Sequence, residues 1–138
     1  MRTSPATVLV IEKHPLLRAA IVNAIADEPD LTICAVAANG QDTRQVVEAL
    51  RPEIILFSIG NPGQEDLETM RELHERSPDA FVLALTSSEE VDKSVLEHGA
   101  NATLAKTAPR AELLQTLRVM KANLQHNEED DFDPQDGE

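Results

Sequence analysis

Five short apolar runs alternate with amphipathic stretches along the chain, and this alternation limits the fold more than any other feature. Each run has the length and β-branched character of a strand buried on both faces, and each intervening stretch repeats apolar residues at the spacing of one helix face. The predicted strands cover residues 7–11, 31–37, 53–58, 81–86 and 102–105. Strict alternation favours a parallel sheet with helices on both faces. We therefore predict an α/β, flavodoxin-like three-layer fold with five helices and strand order 2-1-3-4-5.

The charge of the chain divides it into two parts. The 138 residues carry a formal net charge of −13, and residues 127–138 contribute seven acids and no base to that total. This stretch also lacks the apolar residues that folding requires. The sequence therefore predicts a folded domain over residues 6–126 and a disordered acidic tail over residues 127–138. The tail is interpreted as a solubility element, or alternatively as a segment in which Phe132 anchors in a basic, apolar groove.

Composition excludes several classes of function. A strongly negative chain repels nucleic acid, and the aromatic content of 2% leaves few platforms for stacking on bases. No apolar run approaches the roughly 20 residues of a membrane helix. The single cysteine, Cys34, cannot form an internal disulfide and is expected to be an inert core thiol. The four histidines lack metal-ligand spacing, so no metal site is predicted. We expect a cytoplasmic protein that binds neither nucleic acid nor membranes.

Polar side chains follow four of the five predicted strands. Strand 1 is followed by Glu12 and Lys13, strand 3 ends at Ser58, strand 4 ends at Thr86, and strand 5 is followed by Lys106. In a parallel sheet the functional crevice lies outside these carboxyl ends, where the strand order reverses. Strands also stop at polar residues simply because they reach water there. The chemical identities of the five residues must therefore decide whether they form a site.

From Val8 to Leu124 the chain resembles a response-regulator receiver (CheY-like) domain, in particular the receivers of NarL-type transcriptional regulators. The matching stretches are VLVIEKHPLLR, EPDLTICAVAANG, RPEIILFSIGNPG, FVLALTSSEE and HGANATLAKTAPRAELLQTL. The resemblance implies two adjacent acids after strand 1 that hold Mg²⁺, and an Asp at the end of strand 3 that accepts a phosphoryl group. It also implies a hydroxyl after strand 4 and a Lys after strand 5, which help to stabilise the transferred group.

This sequence keeps only part of that chemistry. Thr86 and Lys106 match the family, whereas Glu12-Lys13 stands at the acidic pair and Ser58 stands at the phosphoacceptor. These positions combine one carboxylate with two ammonium groups, a net +1, where a regular receiver has about −2 and suits a divalent cation. We expect Mg²⁺ binding to be weak or absent. We also expect Lys13 to pair with Glu12 and to supply the charge of the missing metal.

The signalling residues depart from the family as well. Many receivers carry an aromatic residue shortly before the Lys of strand 5, and Thr103 stands there instead. We therefore expect no coupling between Thr86 and an aromatic switch, and we interpret the Thr86 hydroxyl as a cap of the fourth helix.

These departures predict a pseudo-receiver, which is not an enzyme. It would act in signal transduction by phosphorylation-independent contact with protein partners, through the helix 4–strand 5–helix 5 face or as a homodimer. No DNA-binding output domain is expected within this sequence. Two alternatives remain open. In the first alternative, the chain is a phosphoacceptor in a phosphorelay that uses a residue other than Asp, such as Ser58. In the second, it is a sensor that binds a small anionic ligand between Lys13 and Lys106.

Overall fold

Five parallel strands and five helices alternate along the chain in the structure, which is a computed structural model that describes residues 4–60 and 63–131. The elements are β1 Ala6–Ile11, α1 Pro15–Ala26, β2 Leu31–Ala37, α2 Arg44–Leu50, β3 Ile54–Ser58, α3 Gln64–Arg76, β4 Phe81–Thr86, α4 Glu89–Glu97, β5 Ala102–Ala105 and α5 Arg110–Asp131. All neighbouring strands pair in parallel, in the order β2-β1-β3-β4-β5. The predicted fold class and strand order are confirmed.

The sheet separates two apolar clusters, as a three-layer fold requires. Successive strand residues point to opposite faces, so Val8 and Val10 of β1 join the cluster beneath α1 and α5. Leu9 and Ile11 join the other cluster, beneath α2, α3 and α4. Both faces of the central strands are therefore covered by helices, which explains why those strands read as continuous apolar runs in the sequence.

Gly99 follows the C-cap residue of α4, His98. Its φ of +110° lies in the left-handed region, and the amide of Ala100 donates to the carbonyl of Val95 at 3.0 Å. This is the hydrogen bond that closes a helix at a left-handed glycine. A Cβ on Gly99 would also lie 3.0 Å from the Cγ of His74 on α3. The glycine is therefore needed both for backbone conformation and for close packing of α4 against α3.

Helix α5 is tied to the loop between α1 and β2 by two arginines. Arg118 donates through Nε to Asp30 at 2.9 Å and also pairs with Glu28, while Arg110 reaches Glu28 at 3.2 Å. The hydrogen bond from Arg118 lowers the pKa of the Asp30 carboxyl below its ordinary value. The residues that these contacts join are 82 to 90 positions apart in the sequence. The contacts therefore fix the position of α5 along its axis relative to the α1–β2 loop.

The edge strand β2 contains a β-bulge. Val8 of β1 faces Ile33 and Leu9 faces Ala35, so Cys34 has no partner in the register. Cys34 is half-buried rather than enclosed in the core, and its burial raises the pKa of the thiol. A raised pKa keeps the sulfur as a thiol near neutral pH, which is the less reactive form.

Helix α5 is longer than the sequence indicated, because it continues to Asp131. Residues 127–131, which belong to the expected acidic tail, are part of this helix. The acidic residues permit this extension because neither Gly nor Pro, the strong helix breakers, occurs between residues 110 and 133. Residues 132–138, which include Phe132, lie outside the described residues. Neither α5 nor any other helix in the described part of the chain is long and apolar enough to cross a membrane.

Candidate functional site

Three polar side chains meet at the carboxyl ends of the central strands. Ile11 pairs with Phe57 and Ser58 pairs with Leu85, so Glu12, Ser58 and Thr86 follow one another across β1, β3 and β4. All three are buried, with exposed fractions of 2%, 8% and 3% respectively. A buried carboxylate and two buried hydroxyls therefore lie at adjacent strand ends of an otherwise aliphatic sheet, and this group of residues with its neighbours is called the pocket below.

Glu12 is held by the backbone that follows β1. Its Oε1 accepts a hydrogen bond from the amide of His14 at 3.0 Å, and its backbone carbonyl accepts one from the guanidinium of Arg18 at 3.1 Å. The other carboxylate oxygen, Oε2, is buried and has no hydrogen-bond partner among the described residues. Glu12 therefore keeps free acceptor capacity inside the pocket.

The predicted ion pair between Glu12 and Lys13 is not formed. Lys13 is exposed, and its ammonium is not among the cations of the described residues that lie within 4.0 Å of a carboxylate. The ammonium lies instead beside Gly60, 3.8 Å from the position that a Cβ on Gly60 would take.

Asp66 is a pocket residue that the strand-end rule does not find. It lies in the first turn of α3, and its Oδ2 accepts a hydrogen bond from the amide of Gly60 at 2.7 Å. A Cβ on Gly60 would lie 3.1 Å from the same oxygen, so the carboxylate closes tightly over the β3–α3 connection. The acidic first turn after the Asn61-Pro62-Gly63 turn signal was the one sequence feature that pointed to it.

Ser58 occupies the end of β3 with an unpartnered hydroxyl. Its Oγ is buried and makes no hydrogen bond among the described residues. A serine hydroxyl carries one donor and two acceptor sites, and a buried hydroxyl without partners costs about 1–3 kcal/mol. Among the described residues, Ser58 Oγ and Glu12 Oε2 are therefore the two buried side-chain atoms of the pocket without a hydrogen-bond partner.

Thr86 contacts α4 differently from the expected helix cap. Its hydroxyl donates to the carboxylate of Asp92 in the first turn of the helix, whereas the N-cap position is held by Ser88. Asp92 was also missed in the sequence, because its contact with Thr86 depends on how α4 leaves the sheet. The hydrogen bond joins the buried end of β4 to the start of α4.

The two remaining predicted residues lie on β5 and just after it. Lys106 is half-buried, and its backbone amide donates to the carbonyl of Thr86 at 2.9 Å, which places it next to the pocket. Its ammonium has no ion-pair partner within the described part of the chain. Thr103 is half-buried within β5, where it faces Ala84 of β4.

The pocket charge is more negative than the sequence suggested. Asp66 and Asp92 bring the carboxylates to three, against the ammonium groups of Lys13 and Lys106, so the predicted net +1 becomes −1. Both added carboxylates already accept hydrogen bonds from the protein. Across residues 4–60 and 63–131, no group of three or more His, Cys, Asp or Glu side chains is arranged to hold a metal ion.

The order of these residues along the fold agrees with the sequence profile of one family. Residues 8–118 match the family described as response regulator receiver domain. The chain belongs to the response-regulator receiver family. The receiver is 35% identical over 120 residues to the nitrate/nitrite response regulator protein NarL of Escherichia coli K12, covering 86% of this chain and 56% of NarL. It is 31% identical over 117 residues to the response regulator GacA of Pseudomonas aeruginosa PAO1, covering 83% of this chain and 55% of GacA.

Solved structures place the receiver among CheY-like folds. The signal receiver domain of the putative response regulator NarL from Mycobacterium tuberculosis superposes with a TM-score of 0.76 at 21% identity, covering 86% of this chain and 98% of that chain. A chain of the complex between the P1 domain of CheA3 and CheY6 from R. sphaeroides superposes with a TM-score of 0.75 at 26% identity, covering 87% and 99%. The receiver therefore spans about half the length of its curated relatives and nearly all of these isolated domains.

Proposed function

We propose that this receiver is a pseudo-receiver, which regulates protein partners by contact and does not depend on an aspartyl phosphate. The observation that carries the proposal is the residue at the end of β3. Ser58 presents a hydroxyl where the family chemistry requires a carboxylate, and a hydroxyl cannot form an acyl phosphate. The proposal places the domain in cytoplasmic two-component signalling, as a non-enzymatic module that contacts neither nucleic acid nor membrane.

The donor set of the pocket also does not fit the Mg²⁺ that receivers use. Mg²⁺ requires a near-octahedral set of oxygens and is usually held by one or two carboxylates. Of the three pocket carboxylates, Asp66 is engaged by Gly60 and Asp92 is engaged by Thr86. Glu12 Oε2 is the one oxygen of these three carboxylates that is buried without a hydrogen-bond partner among the described residues. Lys13 stands in the sequence where the family has its second acid. We therefore expect no step of the function to need a metal.

The surface formed by α4, β5 and α5 is the proposed contact with the partner. Leu96 on α4 and Val119 on α5 are 50% and 56% exposed, which is high for large apolar side chains. The related structure of the CheA3 P1 domain with CheY6 is a complex between two proteins. A partner interface on this receiver is supported by that likeness and by the exposed side chains.

Two measurements test the proposal. Isothermal titration of the full chain with Mg²⁺ is expected to show no binding at millimolar metal, and incubation with acetyl phosphate is expected to leave Ser58 unmodified by mass spectrometry. A clear binding isotherm together with an acid-labile phosphoryl adduct would refute the pseudo-receiver assignment. For the partner face, L96E is expected to abolish capture of a partner from the source cell, whereas L50E, which changes an exposed leucine of α2, is expected to retain it.

A second candidate is a receiver that accepts a phosphoryl group on Ser58. It is favoured by one observation, namely that Ser58 Oγ and Glu12 Oε2 are both buried and unpartnered in adjacent strands. Glu12 would then take the proton as Ser58 attacks the phosphorus, and the leaving group would depart with the electron pair of the broken bond. The resulting ester would survive acid, unlike an acyl phosphate, so a stable phosphoserine at residue 58 is its signature. The anionic-ligand alternative is less well supported, because the pocket charge is −1 rather than +1.

A further inference from the structure

A narrow apolar groove opens between α1 and the start of α5, next to the functional pocket. Its volume is about 130 Å³. Its apolar lining includes Leu17, Ile21, Leu104 and Leu113. Two cationic residues, Lys106 and Arg110, also line the groove. Arg110 also pairs with Glu28, yet its side chain remains 55% exposed. The groove therefore combines space for one apolar group with two cationic side chains.

The outward face of α5 adjoins this groove and has no partner within the described residues. A shallow depression on this face is lined by Ala111, Gln115, Val119 and Ala122, together with Leu114 and Arg118. Val119 is 56% exposed at its centre. Small and apolar residues one helical turn apart allow another helix to approach closely. The face is therefore shaped for packing against a helix rather than for contact with water alone.

The acidic segment of the chain has the chemistry that complements the groove. Residues 128–133 read Glu-Glu-Asp-Asp-Phe-Asp, so Phe132 is an aromatic anchor with carboxylates on both sides. A cavity of roughly 150 Å³ accepts a benzene ring, which is close to the size of this groove. Acids beside the ring would meet Lys106 and Arg110. The segment therefore matches the groove in size, in apolar character and in sign of charge.

The geometry of α5 excludes docking of this segment in the groove of its own chain. The helix runs from Arg110 to Asp131, and 22 residues at about 1.5 Å each span about 32 Å. Asp131, at the far end of the helix, therefore lies about that distance from Arg110 along the axis. The groove is at the Arg110 end of the helix. An occupant with this sequence must therefore come from a second copy of the chain.

Antiparallel packing of two α5 helices brings the segment of each copy to the groove of the other. With the two-fold axis at Val119, residue 128 of one helix lies at the level of residue 110 of its partner. The chain beyond Asp131 would then continue in the direction of Lys106 on the partner. Arg118, next to the axis, is already neutralised by Asp30 and Glu28, so like charges do not meet there.

We propose that two copies of this chain form a dimer through antiparallel α5 helices, with Phe132 of each copy in the groove between α1 and α5 of the other. The proposal goes beyond the pseudo-receiver function, and either can fail alone, because oligomeric state tests the dimer whereas Mg²⁺ titration tests the pocket.

Fluorescence of the F132W variant tests the position of residue 132, since the chain contains no Trp. The emission is expected to shift to shorter wavelength as the protein concentration rises from nanomolar to high micromolar, in step with dimer formation measured by sedimentation equilibrium. Q135W, three residues away, is the matched control and is expected to emit as an exposed indole throughout. Exposed emission of F132W at all concentrations overturns the proposal, as does a blue shift that persists in the monomer, which would mean docking within one chain.

Substitutions in the chain without an introduced Trp provide a second test, in which the affinity of the dimer is measured. F132A is expected to weaken the dimer about ten-fold or more, since a buried Phe side chain contributes that much to binding. K106E is expected to weaken it as well, whereas K93E, the same charge change at an exposed position of α4, is expected to leave it unchanged. Circular dichroism shows whether each variant is folded. A dimer of unchanged affinity in F132A and K106E overturns the proposal.

Discussion

Restoring the two lost acids is expected to restore a metal site. The variant carries K13D and S58D, so the pocket changes by three units of charge, two at Lys13 and one at Ser58. A unit charge about 4 Å from a divalent ion contributes about 2 kcal/mol in a water-like dielectric, so three units contribute about 6 kcal/mol. This corresponds to an affinity gain of about 10⁴-fold. A water-like dielectric constant is appropriate for Lys13, which is exposed. It understates the contribution of a charge at residue 58 to metal binding, because Ser58 is only 8% exposed.

The assay is thermal unfolding of the variant with and without Mg²⁺, supported by isothermal titration. A ligand at a hundred-fold excess over its Kd stabilises the folded state by about 2.7 kcal/mol, which raises Tm by several degrees. Wild-type protein is expected to show no such shift. The double variant K13N/S58N is the matched control, because it has nearly the same shape as K13D/S58D without the added carboxylates.

Two results would refute this reasoning. If K13D/S58D shows no response to Mg²⁺ while remaining folded, the charge at these two positions is not what separates this chain from a metal-binding receiver. An equal response in K13N/S58N would show that space rather than charge had been limiting.

Three further predictions concern stability and reactivity. G99A is expected to cost about 1–3 kcal/mol in chemical denaturation, since alanine is strained at φ +110° and its Cβ meets His74. R118A is expected to cost about 1 kcal/mol at low salt. Because Arg118 lowers the folded-state pKa of Asp30, this contribution is present above pH 3.8 and is lost as pH falls through the lowered value. Cys34 is expected to react with iodoacetamide more slowly in folded than in unfolded protein at neutral pH.

Each of these has a result that would contradict it. An unchanged denaturation midpoint in G99A would mean that the α3–α4 contact relaxes at no cost. A cost of R118A that is the same at pH 3 and pH 7 would exclude Asp30 as the source. Equal alkylation rates for folded and unfolded protein would show that the burial of the cysteine does not protect its sulfur.

The strands and their order were predictable because a buried parallel sheet leaves a direct mark on the sequence. Runs such as Val8 to Ile11 are apolar at every position, and they end at the residue where the backbone reaches the pocket edge. Glu12, Ser58 and Thr86 were found by that rule. Acidic composition alone does not indicate where α5 ends, because local helix propensity permits the helix to continue to Asp131.

The residues that the sequence did not reveal are contributed by helix starts rather than by strand ends. Asp66 reaches Gly60 only because the connection after β3 turns back on itself through a left-handed Gly63. Asp92 reaches Thr86 because only two residues, Ser87 and Ser88, separate the end of β4 from the start of α4. Such contacts depend on loop geometry, which apolar periodicity does not encode. The incorrect pocket charge followed from counting strand-end residues alone.

The bulge at Cys34 has a consequence for how this molecule behaves at high concentration. β2 is a seven-residue edge strand with no charged side chain, and Val36 on it is 44% exposed. A flat, uncharged edge of that length is a template on which another chain adds as a further strand, the first step of fibrous aggregation. A bulge breaks the regular spacing of hydrogen-bonding groups and increases the local twist, so an incoming strand finds no continuous register. One unpaired residue thereby helps to keep the sheet at five strands.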